Sequence, residues 1–216
     1  VALNKKGAPP FGPSVNAVKI GELIRESMGA ERLDNALWVV DVRDEKTYKK
    51  GHLPHSINIM DGEKFETWLG SIIEPNEHFY LAAGDKEQLQ KAIERAASIG
   101  YEAQIKEGLL VNTGAIQNPL LDISDFKENQ KKYTILDVRN PSEIKEREVF
   151  PESISIPLAE LRDRVNEIPT DKPIAVHCAG GYRSAAGSSL VSAELKGQVE
   201  VYDIGEAIND FQINMG

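Results

Sequence analysis

The only cysteine of the chain, Cys178, follows the apolar run Ile174-Ala175-Val176 and His177, and precedes Ala179, Gly180, Gly181, Tyr182, Arg183 and Ser184. An apolar run of this kind suits a buried parallel strand, and a helical pattern begins at the arginine. Two glycines let the backbone curl so that successive N–H groups point inward. The following helix directs its positive end at the same spot. These are the parts of a reactive anion site with Cys178 at its focus, and taken alone the loop suits phosphate, arsenate or sulfur chemistry.

Global composition limits what such a site can serve. The 216 residues, 41% hydrophobic and 27% charged, are ordinary for a globular protein and allow one large domain or two of roughly 100 residues each. No run of about 18 apolar residues is present, so no membrane span is expected. Neither a signal peptide nor a transit sequence opens the chain, and a start on Val1 reads as a piece of a longer protein. The expected location is the cytoplasm. One cysteine cannot form an internal disulfide, which agrees with a reducing compartment. A net charge of −9 argues against nucleic acid or an anionic membrane as partner.

The elements that must position the loop alternate between strand and helix. Residues 1–13, with Pro9, Pro10, Gly12 and Pro13, read as an irregular lead-in and linker. A helix is expected from Ser14 to about Met28, striped by Val18, Ile20, Leu23 and Ile24. Strands are expected at 36–42, 56–59, 77–83 and 101–105, with helices at 45–50, 64–73 and 86–98, the last stopped by Gly100. Such alternation implies a parallel sheet with helices on both faces.

The second half repeats the first. Tyr133 to Arg139 parallels Trp38 to Arg43 at an offset of 96 residues, matching Asp137 and Arg139 to Asp41 and Arg43. After a one-residue insertion, Pro151 to Ile156 parallels Pro54 to Ile59, and a helix over 158–168 matches the one over 64–73. The same offset carries Cys178 to the neighbourhood of Leu81, Ala82 and Ala83, where no thiol, second glycine or arginine stands. The first copy keeps the scaffold and lacks the chemistry.

Asp-Val-Arg closing a strand, Gly51-His-Leu-Pro-His-Ser-Ile-Asn-Ile59 in the first copy and Cys178-Ala-Gly-Gly-Tyr-Arg-Ser184 in the second resemble tandem rhodanese domains. The resemblance covers about residues 14–216. It implies an α/β fold of two doubly wound domains, each a mainly parallel central sheet flanked by helices. The expected division is a lead-in at 1–13, a degenerate domain at 14–112, a linker at 113–120 and a catalytic domain at 121–216. The resemblance also implies a sulfurtransferase that carries persulfide on Cys178. Residues 2–9 resemble, more distantly, the tail of a metallo-β-lactamase-type persulfide dioxygenase, of a kind sometimes fused to a degenerate and then an active rhodanese domain. In such a fusion the chain would exchange sulfur between persulfide, sulfite and thiosulfate during sulfide detoxification.

Two departures stand against the family pattern. Lys145 to Phe150 replaces the usual Gly-His segment of the second domain, and Arg183 is the only basic residue between Cys178 and Ser184. Family members that prefer thiosulfate often carry more positive charge there, which argues against thiosulfate as the natural donor.

Sulfur transfer needs a thiolate that attacks a sulfane sulfur and holds it as a persulfide until an acceptor removes it. A helix N-terminus and a ring of N–H groups favour that thiolate and would stabilise the terminal persulfide. Arg183 is placed to pin the anionic end of a donor or to support the loop, and Ser184 to donate to sulfur or cap the helix. Ala179, Gly180, Gly181 and Tyr182 contribute mainly backbone to the substrate, with the Tyr182 ring shaping the mouth. The catalytic set is therefore Cys178, Arg183 and Ser184. Cysteine phosphatases place five residues between cysteine and arginine, whereas four stand here, a tighter ring that suits one sulfur atom and ranks phosphatase or arsenate reductase activity second. The alternative from another class is a non-catalytic scaffold or interaction module.

Other residues take plainer readings. Asp41, Arg43, Asp137 and Arg139 are expected to bond around strand ends. His52 and His55 read as turn residues, not metal ligands, and His177 as a packed core histidine facing away from the thiol. Glu143 to Glu148 is expected to be a solvated helix face, and Trp38 and Trp68 core residues. No cofactor or metal is required. Expected partners are small sulfur-containing anions and thiols, plus the upstream metallo-β-lactamase-type domain if the fusion holds.

Overall fold

The computed structural model describes residues 24–26 and 33–213, and the chain divides after Gln117 into two compact units, 1–117 and 118–216. The lead-in and most of the helix expected over 14–28 lie outside the described residues. Within that span Ile24–Glu26 is a strand, β1, hydrogen-bonded in parallel to residues 108–110. Three residues with an apolar first position fit either period, and pairing with a neighbouring strand decides for the extended form.

Unit 1 continues with β2 (Trp38–Asp41), α1 (Glu45–Lys50), β3 (Ser56–Asn58), α2 (Phe65–Ile72), β4 (Phe79–Ala83), α3 (Lys86–Ser98) and β5 (Ile105–Leu110). Its five strands among the described residues are all parallel, in the order β1-β5-β4-β2-β3. The last strand differs from expectation. Residues 102–104 form a 3-10 turn, and the strand runs from Ile105 despite Lys106 and Glu107, because Gly108 lets α3 press close. A Cβ on Gly108 would meet Leu89 at 3.0 Å. One face of the sheet buries Val39, Tyr80, Ala82 and Leu109 with Leu53 and Val111. Trp38 is buried and stacked on His55, whereas Trp68 is partly exposed, so only the first belongs to the core.

Unit 2 runs α4 (Ile123–Glu128), β6 (Thr134–Asp137), α5 (Pro141–Glu146), β7 (Ile154–Ser155), α6 (Leu158–Arg164), β8 (Ile174–His177), α7 (Tyr182–Leu195), β9 (Val201–Asp203) and α8 (Ile208–Ile213). Its four strands among the described residues are parallel, in the order β7-β6-β8-β9. Ile135 and Ala175 pack on one face with Phe126, Phe150 and Ile208. On the opposite face α7 lies against the sheet through small residues. A Cβ at Gly187 would meet Val138 at 3.2 Å and Val176 and Leu161 at 3.4 Å. This close approach sets the height at which the N-terminus of α7 meets the end of β8. Both units are therefore doubly wound α/β layers with helices on both faces of a parallel sheet.

The Asp-Val-Arg segments do the same structural work in each unit. Asp41 accepts from Arg43 Nε at 2.9 Å and Nη2 at 2.6 Å, and Asp137 accepts from Arg139 Nε at 2.9 Å and Nη2 at 2.6 Å, all buried. Each guanidinium then reaches the backbone carbonyl that closes the following helix, Gly51 in unit 1 and Arg147 in unit 2. The pairs clamp the strand ends to that helix, and the charges are satisfied by geometry that burial demands.

Candidate active site

The site is built where β8 ends. Its last residue, His177, pairs in register with Asp137, so Cys178 is the first residue beyond the sheet, at the carboxyl end where parallel sheets place their ligands. The thiol is 1% exposed. Three residues later the chain enters α7 at Gly181, whose φ of 102° lies in the region that disfavours a side chain. A Cβ there would also meet the Glu206 nitrogen at 3.1 Å. The turn brings the Gly181 N–H to 3.2 Å from Cys178 Sγ, so a donor at the positive end of a 14-residue helix points at the sulfur.

Around this bond the expected residues gather in one loop. Ala179 and Gly180 are exposed, and a Cβ at Gly180 would touch nothing within 4 Å, which leaves an approach over the loop. Tyr182 is half-buried at the first position of α7. Ser184 is fully buried, and its hydroxyl donates to the Gly181 carbonyl at 2.9 Å, tying the first turn of the helix to the loop.

Arg183 is committed elsewhere than a free cation would be. Its Nη1 and Nη2 donate to Glu143 Oε2 and Oε1, each at 2.6 Å. The Glu143 carboxylate is the main reason the guanidinium is held more firmly charged than usual, and the nearby Cys178 sulfur adds to it. In return Arg183 holds the Glu143 carboxyl below the ordinary carboxylate range. Glu143 also accepts the Asn140 N–H at 3.1 Å, completing a capping box at the start of α5. The expectation that Glu143 to Glu148 is a solvated face thus fails at its first residue, although Lys145 to Glu148 are exposed. Glu143 is the residue at this loop that the sequence does not single out. Asn-Pro-Ser-Glu was legible as a helix start, but nothing local links it to an arginine 40 residues away.

Beneath the loop His177 is fully buried, with Phe150 edge-on at 4.9 Å and Asp137 Oδ2 3.5 Å from Nε2. Among the described residues no side-chain or backbone group meets either ring nitrogen in full hydrogen-bond geometry, although the Cys178 backbone lies near enough to favour the charged ring slightly. Burial pushes its pKa down to about 4, against the pull of Asp137, so the ring is neutral at physiological pH. It is a packed core histidine. In unit 1, His52 stacks on Tyr48 at 4.1 Å and bonds through Nδ1 to Ser56, a turn role. Among the described residues no group of His, Cys, Asp and Glu is arranged to hold a metal ion, nor is any helix long and apolar enough to cross a membrane.

A protein-family model described as Rhodanese-like domain matches the chain twice, over residues 24–114 and 122–213. The uncharacterized protein YqhL of Bacillus subtilis (strain 168) is 32% identical over 80 residues, 37% of this chain and 61% of that protein. The chain thus spans about three fifths of that relative's length. Among solved structures, an NAD-dependent persulfide reductase from A. fulgidus is 36% identical with a TM-score of 0.32, covering 42% of this chain and 16% of that one. A thiosulfate sulfurtransferase from Pseudomonas aeruginosa is 18% identical with a TM-score of 0.32, covering 85% of this chain and 41% of that one. The 3-mercaptopyruvate sulfotransferase SseA from Escherichia coli is 16% identical with a TM-score of 0.36, covering 84% and 97%.

Proposed function

Because the chain belongs to the rhodanese-like domain family in both of its units, we propose that it is a sulfurtransferase whose second unit alone is catalytic, with Cys178 as the sulfur carrier. The observation that carries this reading is the Gly181 N–H aimed at Cys178 Sγ at 3.2 Å from the start of α7. That donor and the helix end favour negative charge on sulfur, first on the thiolate and then on the persulfide. In the first half-reaction the Cys178 thiolate attacks the outer sulfur of a donor. A bond forms between the two sulfurs, the donor's own bond to that sulfur breaks, and its electron pair leaves with the remainder, as sulfite from thiosulfate or a thiolate from a persulfide. In the second half-reaction sulfite, cyanide or a thiol attacks the outer sulfur and releases the Cys178 thiolate.

In this reading the chain exchanges sulfane sulfur among small anions and thiols in the cytoplasm, and would act after an upstream metallo-β-lactamase-type domain in a sulfide-detoxifying fusion. Incubation with glutathione persulfide or thiosulfate, followed by intact mass measurement, tests the carrier. The expected result is a gain of one sulfur mass that Cys178→Ser abolishes. An unmodified thiol after both donors overturns the proposal.

A further inference from the structure

Arg183 is the one cation of the loop, and both of its terminal nitrogens donate to Glu143 while the guanidinium also acts on the Cys178 sulfur. The pair is set firmly on both sides. Glu143 is fixed by its capping box with Asn140, and Arg183 by its place in the first turn of α7. The guanidinium and the carboxylate carry opposite unit charges, so Glu143 offsets much of the positive field that Arg183 alone would present to an incoming donor. A second carboxylate flanks the loop. Glu206 is exposed, and its Cγ would lie 3.5 Å from a Cβ at Gly181. Before the thiolate is counted, the charges named at the mouth sum to negative.

Candidate donors differ in the charge they bring to that mouth. Thiosulfate is a dianion with its charge within one bond of the transferred sulfur. A protonated thiol persulfide is neutral at the reacting sulfur, and the carboxylates of a molecule such as glutathione persulfide lie several bonds away. Attack on thiosulfate by a thiolate brings like charges together and needs a cation close by. Attack on a protonated persulfide does not.

We propose that Glu143 is a donor-specificity determinant: by pairing with Arg183 through both terminal nitrogens it offsets the loop's positive charge, so that Cys178 takes sulfur from thiol persulfides in preference to thiosulfate. This rests on the reading of Cys178 as a sulfur carrier. In the favoured step the Cys178 thiolate bonds to the outer sulfur of RS–SH, the S–S bond breaks, and RS⁻ departs with the electron pair. The outer sulfur and its proton stay on the protein, as Cys178-S-SH. Glu143 touches neither sulfur and acts through Arg183.

Glu143→Gln isolates the charge, because glutamine fills the third position of a capping box as glutamate does and the side chain keeps its shape. The experiment compares kcat/KM for thiosulfate and for glutathione persulfide in the full chain, with cyanide as the acceptor for both donors and thiocyanate as the product read. The variant is expected to raise kcat/KM for thiosulfate roughly three- to tenfold, mainly through KM and less so at high salt, while changing the persulfide value about twofold or less. Glu143→Asp, which keeps the charge, is expected to stay near the parent ratio. If both donors fall together in Glu143→Gln, the residue only supports the loop and the proposal is overturned. An unchanged ratio also overturns it, while leaving the carrier reading intact. Absence of sulfur on Cys178 in the parent protein with either donor overturns the carrier reading, and this inference with it.

Discussion

The turn from β4 into α3 in unit 1 and the turn from β8 into α7 in unit 2 start from the same place and end in opposite chemistry. Asp41 pairs with Ala82 as Asp137 pairs with His177, so Ala83 stands where Cys178 does. From there unit 2 takes three residues to reach its helix cap and unit 1 takes two. In unit 1 the donors of the turn are answered by side chains of its own helix. Asp85 Oδ1 accepts from Gln88 N at 2.8 Å, and Gln88 Oε1 accepts from Gly84 N at 3.0 Å. In unit 2 the cap is a glycine without a side chain, and its N–H turns to a sulfur instead. A helix N-terminus filled by a carboxylate is finished as structure. One capped by glycine leaves its positive end to whatever the loop presents.

The largest expected break in this comparison is an attempt to move the chemistry. Ala83→Cys in a Cys178→Ser background restores a thiol to unit 1 at the matching register. It is expected to gain no sulfur from glutathione persulfide, because the loop is one residue shorter and its N–H groups are already bonded to Asp85 and Gln88. Intact mass measurement gives an all-or-none reading. A persulfide on residue 83 would show that position alone suffices and that the plugged turn is irrelevant.

Acid sharpens the difference by a smaller amount. His177 has its pKa lowered from 6.5 to about 4, so the unfolded chain takes up a proton in this window that the folded chain refuses. Stability therefore rises with pH between about 4 and 6.5 and is lost as pH falls through it, by up to about 3 kcal/mol for the whole window. Unit 1 has Ala82 at this position and no such term. Urea unfolding followed by pulsed hydrogen exchange, at about pH 7 and about pH 5, is expected to show β8 losing protection earlier at the lower pH than β4 does. His177→Ala lowers the stability of unit 2 at both pH values, but removes its share of the pH slope. An unaltered slope in that variant would remove His177 as the cause.

What the sequence made legible, and what it hid, follows the range of the interactions. The internal repeat, the Asp-Val-Arg clamps and the thiol loop depend on residues close in sequence, and α3 was legible to its ends because Asp85 and Gly100 bracket an amphipathic run. The three-residue strands Ile24–Glu26 and Val201–Asp203 carry too little periodicity to be told from helix or loop, and only pairing with a neighbour makes them strands. The strand beginning at Ile105 was misplaced because Lys106 and Glu107 mask it. At the site, Cys178 and its glycines were plain. The commitment of Arg183 was not, since its partner Glu143 arrives from another helix and looks from its own neighbours like a solvent-facing charge.

The smallest test concerns the carboxylate that caps the helix N-terminus of unit 1. If Asp85 is what completes the N-terminus of α3, then Asp85→Ala leaves the Gln88 N–H without its acceptor and is expected to destabilise unit 1 by about 1 kcal/mol. For a unit of roughly 100 residues that corresponds to a fall in Tm of about 4–8 °C. Asp85→Gly is expected to cost only a few tenths of a kcal/mol, because an N-cap glycine leaves the end of the helix open to water. The ordering alanine below glycine below aspartate, read by calorimetry on unit 1 with the unit 2 transition unmoved, would establish that unit 1 invests its helix end in stability. An Asp85→Ala protein as stable as the parent would mean that the end of α3 is satisfied in some other way. The contrast with Gly181 would then rest on the missing thiol alone.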